Sequence, residues 1–312
     1  MILRDLRKSD GPRLYDLLKI GFPEEEALMG STPEGLAKVT KRVYRWDVQF
    51  VLRLARLFGR PIFRFFVIED GGQIVATTIL GFPERAAYIS TVMVDSAYRR
   101  RGYAQALLEK CRTTARAARR KYLVLNVLRP NAPAIALYER LGYRRLADGG
   151  AFLAREATVP VTGGRSEAVR PYRKADARGL AEIARRATPP EVLEVLPVNP
   201  SSIRVSGWVD RALESSSSGW VVDRGHGAEA FLSASVGGIS TAAHCSEPII
   251  GEGVGPDEVA ALVRTAVEWC SARGAPRILA RAAFANTRGR AALTGGGFRE
   301  ALTDWTLYRE VD

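Results

Sequence analysis

The chain has 312 residues, 46% of them hydrophobic and 26% charged, with a formal net charge of +12. That length suits about two domains, each able to bury a core, and the composition excludes the disordered, collagen-like and disulfide-rich classes. No apolar run reaches the length of a membrane span, and Met1–Asp5 lacks the apolar stretch of a secretory signal, so a cytoplasmic protein without a membrane partner is expected. Three cysteines (Cys111, Cys245, Cys270) and two histidines (His226, His244) are too few and too widely spaced for a disulfide framework or a zinc site, and no metal is expected. Residues 1–160 carry 28 Lys and Arg against 16 Asp and Glu, whereas the remainder carries 18 of each. The first half therefore holds all the excess positive charge, which suits an anionic partner.

In chain order, a short strand from Leu3 leads to Asp10, a candidate helix N-cap. Between 34 and 60 the pattern is helical, with Val48, Val51, Leu52, Ala55 and Phe58 on one face, either a lid or core packing. Strands over 63–68 and 74–80 are joined by Glu69-Asp70-Gly71-Gly72, a hairpin signal. A strand over 88–94 precedes a long helix over about 102–119, on which Ala104, Leu107, Leu108, Cys111 and Ala115 form an apolar stripe. A buried-type strand over 122–128 follows, then a helix over about 132–141 closed by Gly142, and a terminal strand near 151–155. The run 159–166 is rich in Gly, Pro and small polar residues and reads as a linker.

The pattern then repeats. Leu3–Asp10 matches Val169–Asp176 at an offset of 166, and the apolar stripe recurs at an offset of 155 as Val259, Leu262, Val263, Ala266 and Cys270. At the second offset Asn131 falls on Asn286 and Gly142 on Gly297. The expected domains are 1–158 and 168–312, joined by 159–167.

Chemistry concentrates where the strand ending Val92-Met93-Val94 passes through Arg99-Arg100-Arg101 into the helix at Gly102-Tyr103-Ala104-Gln105. The first turn of a helix leaves backbone N–H groups without intrahelical acceptors, and its dipole favours negative charge. Gly102 allows close backbone approach and the arginines raise the local potential, so the segment suits a phosphate. Neither a dinucleotide nor a P-loop fingerprint is present.

Together with Asn131-x-x-Ala134-x-x-Leu137-Tyr138-x-x-x-Gly142-Tyr143, this segment resembles the GNAT (Gcn5-related N-acetyltransferase) superfamily over essentially all of residues 1–158. The resemblance implies an α/β (α+β) architecture of two tandem domains. Each would hold a mixed, mostly antiparallel twisted sheet with a splayed parallel strand pair and flanking helices. It implies acetyl-CoA as cofactor and an amine-bearing acceptor as partner. Val92, Met93 and Val94 would meet the pantetheine and Arg99 to Gln105 the pyrophosphate, with Asn131 on the pantetheine arm and Tyr138 as general acid near the sulfur. A non-catalytic acyl-CoA sensor is the alternative, and a ribosomal or nucleic-acid-associated protein a further possible acceptor. No nucleic-acid motif is found, and a homodimer is possible. The strand over 88–94 has no carboxylate, so Ser90 or Tyr88 through water, or Glu24, Glu25 or Glu26, are the candidate bases.

In the second copy, residues 99–104 fall on Val254-Gly-Pro-Asp-Glu-Val259, and Tyr138 falls on Leu293. Acidic side chains and a proline oppose phosphate binding there, so that copy is expected to be degenerate. His244 and Cys245 read as ordinary strand residues.

Overall fold

The computed structural model describes residues 1–21, 23–46, 48–50, 53, 62–83, 85–147, 149–161, 164–203, 205, 215–238 and 240–311, with backbone alone for 25, 36, 39 and 40. Val51, Leu52, Ala55 and Phe58 of the apolar face expected over 48–58 lie outside the described residues. The chain divides into two compact units.

Unit 1 comprises Met1–Ala27, Ser31–Leu146 and Trp305–Asp312. Its elements begin with strand β1 (Ile2–Asp5) and helices α1 (Gly11–Gly21), α2 (Pro23–Met29) and α3 (Pro33–Val43). There follow β2 (Phe63–Asp70), β3 (Gln73–Gly81), β4 (Ala86–Val94), α4 (Tyr103–Ala117), β5 (Tyr122–Leu128), α5 (Ala132–Arg140) and β6 (Arg144–Arg145). The strands run in the order β1-β2-β3-β4-β5. Neighbours are antiparallel except for the parallel pair β4 and β5. Gly71 and Gly72, at φ +58° and +80°, make the tight turn that the hairpin signal requires.

The stripe of α4 does what its spacing dictates: Leu107, Leu108, Cys111 and Ala115 are buried against Phe66, Leu80, Ile89 and Leu125. Each buried leucine contributes about 1.5–3 kcal/mol. On the opposite face of the sheet, Leu17 of α1 packs with Val67, Ile74 and Met93.

Unit 2 comprises Leu28–Gly30 and Ala147–Asp304. It contains β7 (Gly150–Glu156), β8 (Val169–Pro171), α6 (Ala177–Ala187), α7 (Pro190–Val195), β9 (Ser216–Asp223), β10 (Ala228–Val236), β11 (Ala243–Cys245) and β12 (Ile249–Ile250). Then come α8 (Pro256–Ser271), β13 (Arg277–Ala283), α9 (Thr287–Gly295) and β14 (Arg299–Glu310), whose residues 305–310 belong to unit 1. The order is β8-β9-β10-β11-β13-β7, with β11 and β13 parallel. Leu262, Val263, Ala266 and Cys270 of α8 are buried, repeating the α4 stripe.

The repeat extends to electrostatics. Arg4 grips Asp10 through two bonds of 2.8 and 3.1 Å and also reaches Glu69. Arg170 does the same with Asp176, at 2.9 and 2.8 Å, and with Asp223. In both units the aspartate turns back to accept from the N–H three residues earlier, Arg7 or Arg173, each at 2.7 Å. The expected forward N-cap on the helix is therefore replaced by a salt-bridged turn, because a guanidinium on the neighbouring strand competes for the carboxylate.

Chain order and spatial order differ at the terminal strands. The strand over 150–156, which a boundary near 160 assigns to the first domain, pairs along its whole length with β13 in unit 2. Conversely, residues 305–310 lie beside β5 in unit 1, where Asn126 Nδ2 donates to Thr306 Oγ1 at 3.1 Å. Local pattern specifies a strand but not which of two like sheets receives it, and equivalent elements of repeated domains exchange at little cost. No described helix is long and apolar enough to cross a membrane. Among the described residues no cluster of His, Cys, Asp and Glu could hold a metal.

Candidate functional site

The β4–β5 pairing stops early. Its register runs from Ala86–Tyr122 to Ile89–Leu125 and no further, so residues 90–94 part from 126–128. A bulge accompanies the parting: Ile79 pairs with Thr91 and Leu80 with Ile89, which leaves Ser90 extra and exposed. Beyond it, the β5-facing backbone groups of β4 are without a ladder partner.

At the end of β4, Asp95 accepts from Ala97 N at 2.9 Å and pairs with Arg13. Those contacts hold its carboxyl below the usual aspartate range. Arg100 and Gly102 then adopt left-handed conformations, at φ +63° and +82°. Gly102 is the N-cap of α4 and makes no side-chain cap. Because the first intrahelical bond of the cap is Ala106 N to Gly102 O, 3.0 Å, the N–H groups of Tyr103, Ala104 and Gln105 remain free of helical acceptors. A Cβ built at Gly102 meets nothing within 4 Å, so the space before these donors is open. Alternating left-handed residues with converging N–H groups form an anion nest.

A cavity of about 910 Å³ unites the parted strands and the helix start. All its lining residues fall within unit 1. Val92, Met93, Val94, Arg99, Arg100, Gly102, Tyr103, Ala104, Gln105, Asn131 and Tyr138 of the sequence expectation line it. Arg101 does not: its guanidinium lies over the Tyr98 ring, 5.0 Å from the centroid. The stacking of a planar cation on an aromatic face competes with the phosphate role expected for it. Met93 turns its side chain to the α1 side, where it is buried with Leu17, as strand alternation requires. Arg99 donates to Val94 O and Ile20 O, at 3.4 and 3.5 Å.

Asn131 caps α5, its Oδ1 accepting from Ala134 N at 3.2 Å. Tyr138 is buried, 7% exposed, with its ring 5.7 Å edge-on from Tyr143. Burial pushes its hydroxyl up to about 12, so it is protonated at neutral pH. β4 carries no carboxylate. Tyr88 donates to Asn126 Oδ1 across the parted strands, and Glu24 lines the cavity. Among the wall residues that pattern reasoning missed are Ile20, Gly21 and Pro23, at the end of α1 and the start of α2, and Leu128, Pro130 and Arg140 around α5. The Gly-x-Pro break at 21–23 was the available signal.

Unit 2 fills the corresponding place with its own side chains. Glu247, at the 155 offset from Val92, accepts from Ala283 N at 2.9 Å and from Asn286 Nδ2 at 3.0 Å. Asn286 Nδ2 also donates to Pro248 O, at 2.9 Å. The helix start is capped as well, since Glu258 Oε2 accepts from Gly255 N at 2.9 Å and Gly255 has an extended φ of −76°. In place of the left-handed nest of unit 1, the Glu258 carboxylate turns back onto the N–H of the glycine N-cap.

A parallel strand pair beside a helix start is thus present in both units, and in unit 1 that start is open and capped by a left-handed glycine. Residues 25–143 of the chain match the acetyltransferase (GNAT) family, and the whole chain has the fold of tandem GNAT proteins. Among solved structures, it is similar to a tandem GNAT protein from the clavulanic acid biosynthesis pathway, determined without acetyl-CoA. The TM-score is 0.64 at 15% identity, over 100% of this chain and 98% of that one. A GCN5-related N-acetyltransferase from Sphaerobacter thermophilus aligns with TM-score 0.62 at 13% identity, covering 99% and 95%. A putative acetyltransferase from Pyrococcus horikoshii aligns with TM-score 0.61 at 11% identity, covering 100% and 89%. No curated protein matches the sequence.

Proposed function

We propose that unit 1 is an N-acetyltransferase that moves an acetyl group from acetyl-CoA to a primary amine. The observation that carries this is the single cavity joining unladdered β4 backbone, the nest at Gly102 and the neutral Tyr138 hydroxyl. These groups fit the cofactor. The N–H groups of Tyr103, Ala104 and Gln105, with Arg100, would take its pyrophosphate. Val92 and Val94 would meet the pantetheine amides as an added strand does. The Asn131 amide would donate to the same arm.

Acetyl-CoA supplies the activated thioester. Tyr138, protonated and within the cavity wall, gives a proton to the leaving sulfur. A backbone N–H of the unladdered stretch of β4 stabilises charge on the acyl oxygen. The chain's work is therefore to hold the donor straight and to neutralise two developing negative charges.

Isothermal titration of the full chain with acetyl-CoA tests this. One site per chain is expected. Two sites would overturn the degenerate reading of unit 2, and none would overturn the cofactor reading.

A further inference from the structure

A second cavity, of about 530 Å³, lies between α1 and α3 and shares no wall residue with the first. Lys8, Gly11, Pro12, Tyr15 and Asp16 line it from α1 and the turn before it, and Pro33, Ala37 and Lys41 line it from α3. Spacings of three and four residues hold each set on one helix face. The start of α1 meets the end of α3, because the Tyr44 hydroxyl, three residues past Lys41, donates to the Leu6 carbonyl, two residues before Lys8, at 2.5 Å. Lys8 and Lys41 therefore stand at one end of the cavity, and Tyr15, Asp16 and Pro33 at the other. From Pro33 to Lys41 the helix rises by about 12 Å.

Charge follows the same axis. Among the described residues, neither the Lys8 nor the Lys41 ammonium has an ion pair or a hydrogen bond. At the far end, the Asp16 carboxylate lies 3.7 Å from Arg13. Between the ends the walls are Gly11, Pro12 and Ala37, which offer apolar surface and no charge. Two unpaired cations at one end of a cleft raise its potential and draw an anion, and apolar walls favour a ligand that brings apolar surface to cover them. We infer that this cavity binds an amphipathic organic acid, with its single anionic head at Lys8 and Lys41 and its apolar tail along Pro12 and Ala37. A second acidic group at the tip of the tail would meet Asp16, so the site discriminates against diacids. In the second copy Pro12 and Tyr15 fall, at the 166 offset, on Arg178 and Ala181. A charge and a methyl group there replace the proline and the aromatic wall.

The test titrates the isotope-labelled full chain with octanoate, octanamide and octanedioate, which share one chain length, and follows the backbone amides by NMR. Octanoate is expected to give saturable shifts at residues 8–16 and 33–41, with a dissociation constant of about 1–10 mM for a ligand of this size. Octanamide and octanedioate should bind about fivefold more weakly. Lys8→Gln and Lys41→Gln should each weaken octanoate binding by about two- to fivefold. Ala37→Trp, at an exposed helix position, should fill the cavity and abolish the shifts with far-UV circular dichroism unchanged. Absence of saturable shifts at these residues, octanamide or octanedioate binding as tightly as octanoate, or an octanoate affinity unaltered in both lysine variants would each overturn the assignment. The acetyl-transfer reading stands or falls apart from these outcomes, since it uses the other cavity.

Discussion

The two units build the same strand parting and differ in what enters it. In unit 1, Val92 and Asn131 face an open cavity and the helix start is a bare nest. In unit 2, Glu247 bonds Ala283 N and Asn286, and Glu258 caps the helix. A splayed strand pair leaves backbone donors that something must satisfy. Unit 1 leaves them facing a cavity, and unit 2 meets them with carboxylates of its own chain. The two units therefore differ at this place by one carboxylate on the strand and one on the helix.

The sharpest way to break this contrast is to give unit 1 the charge of unit 2. Gly102→Glu places a carboxylate before the free N–H groups of α4. Because a Cβ there meets open space, the cost to folding is confined to the left-handed backbone, about 1–2 kcal/mol. Titration is expected to show no acetyl-CoA site, with far-UV circular dichroism unchanged. Retained affinity would mean that the pyrophosphate does not lie at this helix.

Tyr138→Phe separates chemistry from binding. Turnover should fall by about 10²-fold or more, while acetyl-CoA affinity stays within about twofold. The tyrosine ring packs in the core and its hydroxyl has no hydrogen-bond partner among the described residues. An unaltered rate would remove its role as the acid.

Glu247→Ala asks whether unit 2 is merely plugged. The substitution leaves Ala283 N without its acceptor and Asn286 with one fewer, at about 1–3 kcal/mol per orphaned buried group, so the denaturation midpoint should drop. No acetyl-CoA site should appear, because Glu258 still caps the helix and a proline occupies its first turn. A second site in the titration would show that Glu247 alone closes unit 2.

Much of this was legible in sequence. The α4 stripe, β5 to the residue and the turn at Gly71-Gly72 follow from periodicity and glycine chemistry, and eleven of the twelve residues expected at the cofactor line the cavity. What escaped was non-local. Arg101 reads as a third phosphate ligand until Tyr98 is seen beneath it. Glu247 carries no signal in the sequence, because its partners Ala283 and Asn286 lie 36 and 39 residues later. The exchange of the strands over 150–156 and 305–310 could not be read at all, because both candidate partners present the same edge chemistry.

The smallest expected effect lies on the parallel pair itself. At the 155 offset His244 of β11 takes the place of Ile89, which is buried in unit 1. Burial disfavours the imidazolium and lowers the pKa of His244 below its ordinary 6.5. The unfolded chain therefore binds a proton that the folded one resists. This contribution is present above about pH 6.5 and is lost as the pH falls below it. The thermal midpoint should decline between pH 7 and pH 5, and His244→Gln should flatten that decline by up to a few degrees. Identical slopes in the two proteins would mean that His244 protonates in place, and that the histidine costs unit 2 nothing that Ile89 saves in unit 1.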